Sequence, residues 1–267
     1  MPPIKILFLA DIFGRLGRQG VIKELPRLKK KYQPNLTIAN AENLAHGRGV
    51  TKNTILEMQD AGIDFFTSGN HVWDKKDAVT ILEQKNSPLI RPANYRTGTA
   101  GQGEKLLNIG ENSILVINLI GRVFISDDYN CPFKQASKIL KKYNKENLSG
   151  IIIDFHAEAT SEKVALGHYL DGQVSAVIGT HTHIQTADEK ILEQGTAYIT
   201  DAGMIGPQDS VIGLEKKMII KNYLTNQTKS ADVPKSGPCI FNAIYLEIDP
   251  KIARTKKIQR INKIIKI

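Results

Sequence analysis

Residues 174–183 read Val174-Ser175-Ala176-Val177-Ile178-Gly179-Thr180-His181-Thr182-His183, an apolar β-branched run that meets a glycine and then delivers two histidines. A short run of this kind, bounded by a turn residue, predicts a buried strand. The same arrangement recurs toward the N-terminus. Ile4 to Ala10 runs into Asp11, Leu36 to Ala39 is followed by Glu42-Asn43, Ile63 to Thr67 by Asn70-His71, and Ile151 to Phe155 by His156. Between these runs, residues 18–32, 52–61, 75–84 and 132–145 carry apolar positions at helical spacing, as in Val21, Ile22, Leu25 and Leu28. Strands alternating with helices define an α/β chain. In a mostly parallel sheet the C-terminal strand ends share one edge, where ligands collect. Five strands therefore bring carboxylates, amides and imidazoles to a single rim.

Further out, strands are expected at 114–120, 197–200 and 240–248, and residues 86–112, with several Gly and Asn, read as an extended loop or irregular insertion. No repeat, low-complexity segment or flexible linker divides the 267 residues, so one domain, 1–267, is the simplest organisation. A charged fraction of 24% is ordinary for a globular protein, and no apolar run approaches the ~18 residues of a membrane span. The start lacks the pattern of a secretory signal, and Cys131 and Cys239 are too few and too distant for a disulfide framework. A cytoplasmic location is expected, with no membrane partner, and a homo-oligomer stays open.

The formal charge is +9, but residues 251–267 hold Lys251, Arg254, Lys256, Lys257, Arg260, Lys263 and Lys266 with no acid, and without those seven it would be +2. The basic segment reads first as a solvated edge strand, since lysine on an edge discourages aggregation. A patch for RNA or an acidic partner is the alternative.

Asp11, Glu42, Asn43, Asn70, His156, His181 and His183 offer seven oxygen and nitrogen donors and no sulfur. That set suits manganese, iron or zinc, and is too rich in imidazole for a magnesium or calcium site. Seven donors exceed the needs of one tetrahedral zinc, which favours two ions. Two ions about 3.5–4 Å apart need a bridging group, which a carboxylate supplies, and they acidify a water between them.

The blocks Asp11-Ile12-Phe13, Ala41-Glu42-Asn43, Gly69-Asn70-His71, His156 and Gly179-Thr180-His181-Thr182-His183 resemble those of the calcineurin-like metallophosphoesterases. More closely, the chain resembles the bacterial YmdB-like 2′,3′-cyclic-nucleotide 2′-phosphodiesterase group, from Ile4 to about Ile248 and including Thr200-Asp201-Ala202-Gly203-Met204. Most of the superfamily has Asp-x-His in the first block, where Phe13 stands here, and a bridging Asp where Glu42 stands. The YmdB-like group shows both substitutions. The resemblance implies a four-layer αββα sandwich with two mixed sheets, the fold of metallo-dependent phosphatases. It implies one metal on Asp11, Glu42, Asn43 and His183, and a second on Glu42, Asn70, His156 and His181. Iron or manganese is implied first, with zinc acceptable. The implied reaction is hydrolysis of a cyclic nucleotide by a metal-bridging hydroxide, with His71 as the general acid and Asp74 able to orient it. A phosphomonoesterase on nucleotides or phosphoproteins is one alternative, and an RNA-binding regulator with incidental turnover is another.

Other polar residues carry weaker signals. His168 reads as structural. His46, with no motif match, reads as structural or as a substrate contact. Arg15 and Arg48 follow rim residues and could neutralise a phosphate or be surface arginines. Asp201 could orient a ligand histidine or end a strand.

Overall fold

The computed structural model describes residues 1–125 and 128–267. Along the chain run β1 (Ile4–Leu9), β2 (Asp11–Ile12), α1 (Gly14–Tyr32), β3 (Leu36–Asn40), α2 (Lys52–Asp60), β4 (Phe65–Thr67), a 3-10 turn (Asn70–Asp74) and α3 (Asp77–Leu82). There follow β5 (Glu104–Ile109), β6 (Asn112–Ile120), α4 (Pro132–Lys142), β7 (Gly150–His156), α5 (Thr160–Tyr169) and β8 (Ala176–Thr180). The last third holds β9 (Lys190–Ile191), β10 (Ala197–Ile199), β11 (Met204–Pro207), α6 (Lys216–Thr225), β12 (Pro238–Asp249) and β13 (Arg254–Lys266).

Two mixed sheets result, in the order β2-β11-β12-β1-β3-β4 with β13 on the other edge of β12, and β5-β6-β7-β8-β10-β9. In the first, β1, β3 and β4 are parallel, and β12 runs antiparallel to β1. In the second, β6, β7, β8 and β10 are parallel. The pleat sends alternate side chains to opposite faces. From the first strand, Ile4, Ile6, Phe8 and Ala10 pack between the sheets against Val116, Ile152 and Ile178. Leu7 and Leu9 face the other way, onto Val21 and Leu25 of α1, Met58 of α2 and Ile81 of α3. Ile117, Ile153 and Phe155 pack outward on Ile139 of α4 and Leu166 of α5. Three apolar layers thus hold four layers of secondary structure, as the αββα expectation required. Each fully buried Ile or Phe contributes roughly 1.5–3 kcal/mol through lost water contact.

Residues 104–109 correct the expectation of a structureless 86–112. They pair antiparallel with β6 across a two-residue turn, Gly110-Glu111, with Gly110 at φ 59. The strand is only half-buried, so its apolar alternation is weak. Helix α6 escaped notice for a related reason: none of its residues is buried, so no apolar face repeats along it.

The basic segment is an edge strand, paired with β12 from Pro238↔Lys266 to Asp249↔Arg254. Its charges are largely matched. Lys256 sits 2.7 Å from Asp249, Lys257 3.8 Å from Glu247, Arg260 3.4 Å from Glu189 and Lys263 2.5 Å from Glu24. Arg254 donates to the carbonyls of Gln194 and Gly172. Among the described residues, no helix is long and apolar enough to cross a membrane.

Candidate metal centre

Each rim residue is positioned by the end of its strand. Asp11 follows β1, and Glu42 and Asn43 leave β3. Asn70 and His71 open the 3-10 turn after β4, His156 ends β7, and His181 and His183 follow β8. The structure brings Asp11, Glu42, Asn70, His156, His181 and His183 together. Glu42, His156 and His181 present donor atoms within 4.8 Å of one another, as do Asp11, Glu42 and His183. Glu42 belongs to both groups. Its Oε1 lies 3.1 Å from His156 Nε2, and its Oε2 accepts the His71 backbone N–H at 3.0 Å. Asn70 Oδ1 sits 3.2 Å from the same His156 nitrogen. Glycine is needed at position 69, because a Cβ there would lie 2.3 Å from both Glu42 Oε2 and His156 Nε2.

Each imidazole has one nitrogen tied down outside the cluster and the other turned inward. His156 Nδ1–H donates to Thr180 Oγ1 at 3.0 Å, and the Thr180 hydroxyl donates to Asp154 at 2.7 Å. His183 Nδ1–H donates to the Ile212 carbonyl at 2.9 Å. His181 Nε2–H donates to Glu158 at 3.0 Å, leaving Nδ1 3.0 Å from His156 Nε2. Such outer partners fix the tautomer a metal requires. Glu158 was missed in the sequence. Its only signal is its place two residues after His156, a pattern any surface loop shares.

The loop carrying the paired histidines is strained, with His181 at φ 100 and His183 at φ 65. Side chains other than glycine cost about 1–3 kcal/mol in this region and persist only where the surroundings over-determine them. Here Asp11 Oδ2 accepts the His181 N–H at 3.0 Å. Asp201, fully buried, accepts the Thr182 N–H at 3.1 Å and its hydroxyl at 2.7 Å, and pairs with buried Lys163 at 2.6 Å. Asp201 therefore acts on the residue between the two histidines. Phe13, in the place of the superfamily histidine, packs its ring edge-on to His183 with centroids 5.3 Å apart.

The ionisable members of the cluster are all shifted from their ordinary values. Burial drives the Asp11 carboxyl well above its usual range. Burial also pushes Glu42 up, but the charge and hydrogen bond of His156, with the charge and backbone N–H of His71, together outweigh it and hold Glu42 at about 2. Burial pushes His156 down, but Glu42, Asp11 and Asp154 together lift it to about 9. Burial, then the charge on His156, lowers His181 to about 3, and burial lowers His183. Two buried oxygens, Asp11 Oδ1 and Asn43 Oδ1, have no hydrogen-bond donor. Asn43 spends its amide N–H on the Gly47 carbonyl at 2.9 Å, which leaves its oxygen for a cation. Oxygen and imidazole donors of this kind fit manganese, iron or zinc.

The other singled-out residues lie apart or outside. His168 is exposed on α5, Arg15 is exposed in the first turn of α1, and His46 and Arg48 are exposed on the loop after β3. Asp74 Oδ2 lies 3.1 Å from His71 Nδ1, the orienting contact the spacing suggested.

Two facing mixed sheets with this rim cluster define the metallophosphoesterase fold. It is shared with the NAD nucleotidase of Haemophilus influenzae, at a TM-score of 0.64 and 13% identity, covering 98% of this chain and 56% of that one. The chain belongs to the YmdB-like protein family, whose model matches residues 7–261. It is 44% identical over 260 residues to the 2′,3′-cyclic-nucleotide 2′-phosphodiesterase of Bacillus subtilis, covering 97% of this chain and 96% of that protein. A crystal structure described as a novel phosphatase from Mycoplasma pneumoniae superposes with a TM-score of 0.93 at 35% identity, covering 100% of this chain and 95% of that one.

Proposed function

We propose that this chain is a metal-dependent phosphodiesterase that opens 2′,3′-cyclic nucleotides at the 2′ ester. The observation that carries the reading is the sharing of Glu42 by two groups of ligand atoms, each completed by histidine. Asp11, Glu42, Asn43 and His183 would hold one cation, and Glu42, Asn70, His156 and His181 the other. Bound there, the cations would acidify a water to serve as nucleophile at neutral pH and would neutralise charge building on the phosphoryl oxygens.

The chain's own residues do the rest. Glu158, Thr180 and the Ile212 carbonyl keep each imidazole in the tautomer that turns a lone pair inward. His71 is the proton donor. With Nδ1 engaged by Asp74, its Nε2–H is left for the departing 2′ oxygen. The P–O2′ bond breaks as the water oxygen bonds to phosphorus, and the product is a nucleoside 3′-phosphate.

The test is a panel of 2′,3′-cyclic nucleotides, 3′,5′-cyclic nucleotides and nucleoside monophosphates with manganese- or iron-loaded protein. The reading expects the highest kcat/KM on the 2′,3′-cyclic diesters with 3′-phosphate products. A higher kcat/KM on monoesters would replace it with a phosphomonoesterase.

A further inference from the structure

Between the segment joining α3 to β5 and the segment joining β6 to α4 lies a cavity of about 210 Å³ lined by Tyr95, Arg96, Thr99, Asp128 and Tyr129. It touches the catalytic turn directly. The Tyr95 hydroxyl donates to the carbonyl of Gly69 at 3.5 Å, one residue before Asn70 and two before His71. Trp73, from the same turn as His71, packs edge-to-face on Tyr95 with centroids 5.8 Å apart, and Tyr95 packs on Tyr129 at 4.9 Å. The wall is built rather than loose. Asn94, fully buried, donates from Nδ2 to the carbonyls of Ile120 at 2.8 Å and Asn130 at 2.9 Å, and accepts the Ile120 N–H at 2.8 Å. Asn130 in turn donates to the carbonyl of Tyr95 at 3.2 Å.

The chemistry of the lining selects its occupant. Two tyrosines supply aromatic wall, and Arg96 and Asp128 form an ion pair at the mouth. Their side chains are 71% and 80% exposed, so the pair contributes little to stability and can open to grip a ligand. An arginine and an aspartate together carry no net charge, which disfavours a phosphate here. They offer donors and an acceptor side by side, which suits a flat heteroaromatic ring with the complementary edge. Guanine has that edge. Its O6 and N7 accept from a guanidinium, and its N1–H and N2–H point to an adjacent carboxylate. Adenine offers one acceptor and one donor to the same pair.

We infer that this cavity binds the nucleobase of the substrate and favours guanine, with Arg96 and Asp128 reading the base edge and Tyr95 and Tyr129 packing on the ring. The inference rests on the cyclic-nucleotide reading for its setting. A base held here, against the Gly69 carbonyl, places its ribose phosphate over the rim.

The test reads binding without turnover. Trp73 is the single tryptophan of the chain and abuts Tyr95, so its fluorescence reports occupancy. Guanosine is expected to change that signal saturably, adenosine to bind about tenfold more weakly, and ribose 5-phosphate, which lacks a base, to do nothing. Arg96→Ala and Asp128→Ala should each weaken guanosine roughly tenfold, and because both side chains are exposed the variants should fold. No saturable response to guanosine, an equal response to ribose 5-phosphate, equal affinity for adenosine, or unchanged affinity in both variants would overturn the inference. Failure of hydrolysis in the substrate panel would instead overturn the phosphodiesterase reading while leaving the guanosine titration interpretable.

Discussion

Glu158 accepts a hydrogen bond from His181, Oε2 to Nε2 at 3.0 Å, and so engages the imidazole nitrogen that faces away from the cluster. A half-exposed carboxylate outside the motif blocks thereby sets which nitrogen of His181 a metal can use. Glu158→Ala is expected to weaken the affinity of one of two manganese equivalents about 10–100-fold, the usual worth of such a partner, with Gln recovering part of it. Calorimetric titration of the metal-stripped variant checks this. Unchanged affinity for both equivalents would show that the contact does not orient the ligand.

Gly69 is fixed by space. A methyl group there would lie 2.3 Å from Glu42 Oε2 and 2.3 Å from His156 Nε2, both buried side chains with no room to retreat. Gly69→Ala should therefore lower kcat/KM about 10²-fold or more, the cost of displacing groups by an ångström. Activity within tenfold of wild type would show that the cluster yields more than its packing implies.

His71 carries the proton in this account, so His71→Ala should lower kcat roughly 10²–10⁴-fold on a cyclic nucleotide while metal content stays the same. A nitrophenyl diester, whose leaving group departs without a proton, should lose much less. Equal losses on the two substrates would remove His71 from that role, and loss of a metal equivalent would make it a ligand.

The strand β13 is structural rather than an appendage. Lys263 reaches Glu24, which is 2% exposed, at 2.5 Å, while Lys263 itself is 42% exposed. Lys263→Ala should cost roughly 1–2 kcal/mol, between a surface pair and a fully buried one, seen as a fall of several degrees in Tm. Because four of the seven cations are already matched by acids, RNA binding should show a log–log salt slope shallower than the roughly −5 that seven free cations would give to a single strand. A slope of that full size would restore the segment as a nucleic-acid surface.

The rim was legible in the sequence because strand ends are where apolar runs stop, and five such runs each stop at a ligand type. Asp11, Glu42, Asn70, His156 and His181 could be placed on one edge from that pattern alone. Glu158 and Asp154 could not, because their work is done through His181 and Thr180, contacts that form only when β7 and β8 lie side by side. Strand β5 was hidden by its half-buried pattern, and α6 by lying outside the core. The Arg96–Asp128 pair spans 32 residues and two loops, and no local signal joins its members.

The central claim is that Glu42 serves two cations at once. The most direct measurement is the number of manganese equivalents bound per chain, read by calorimetry on metal-stripped protein, for the wild type and for Glu42→Gln. An amide brings no charge and one good oxygen donor, so the account predicts two equivalents for the wild type and at most one for the variant, with turnover abolished and the fold intact. A Glu42→Gln protein that binds two equivalents and hydrolyses cyclic nucleotides at the wild-type rate would contradict it.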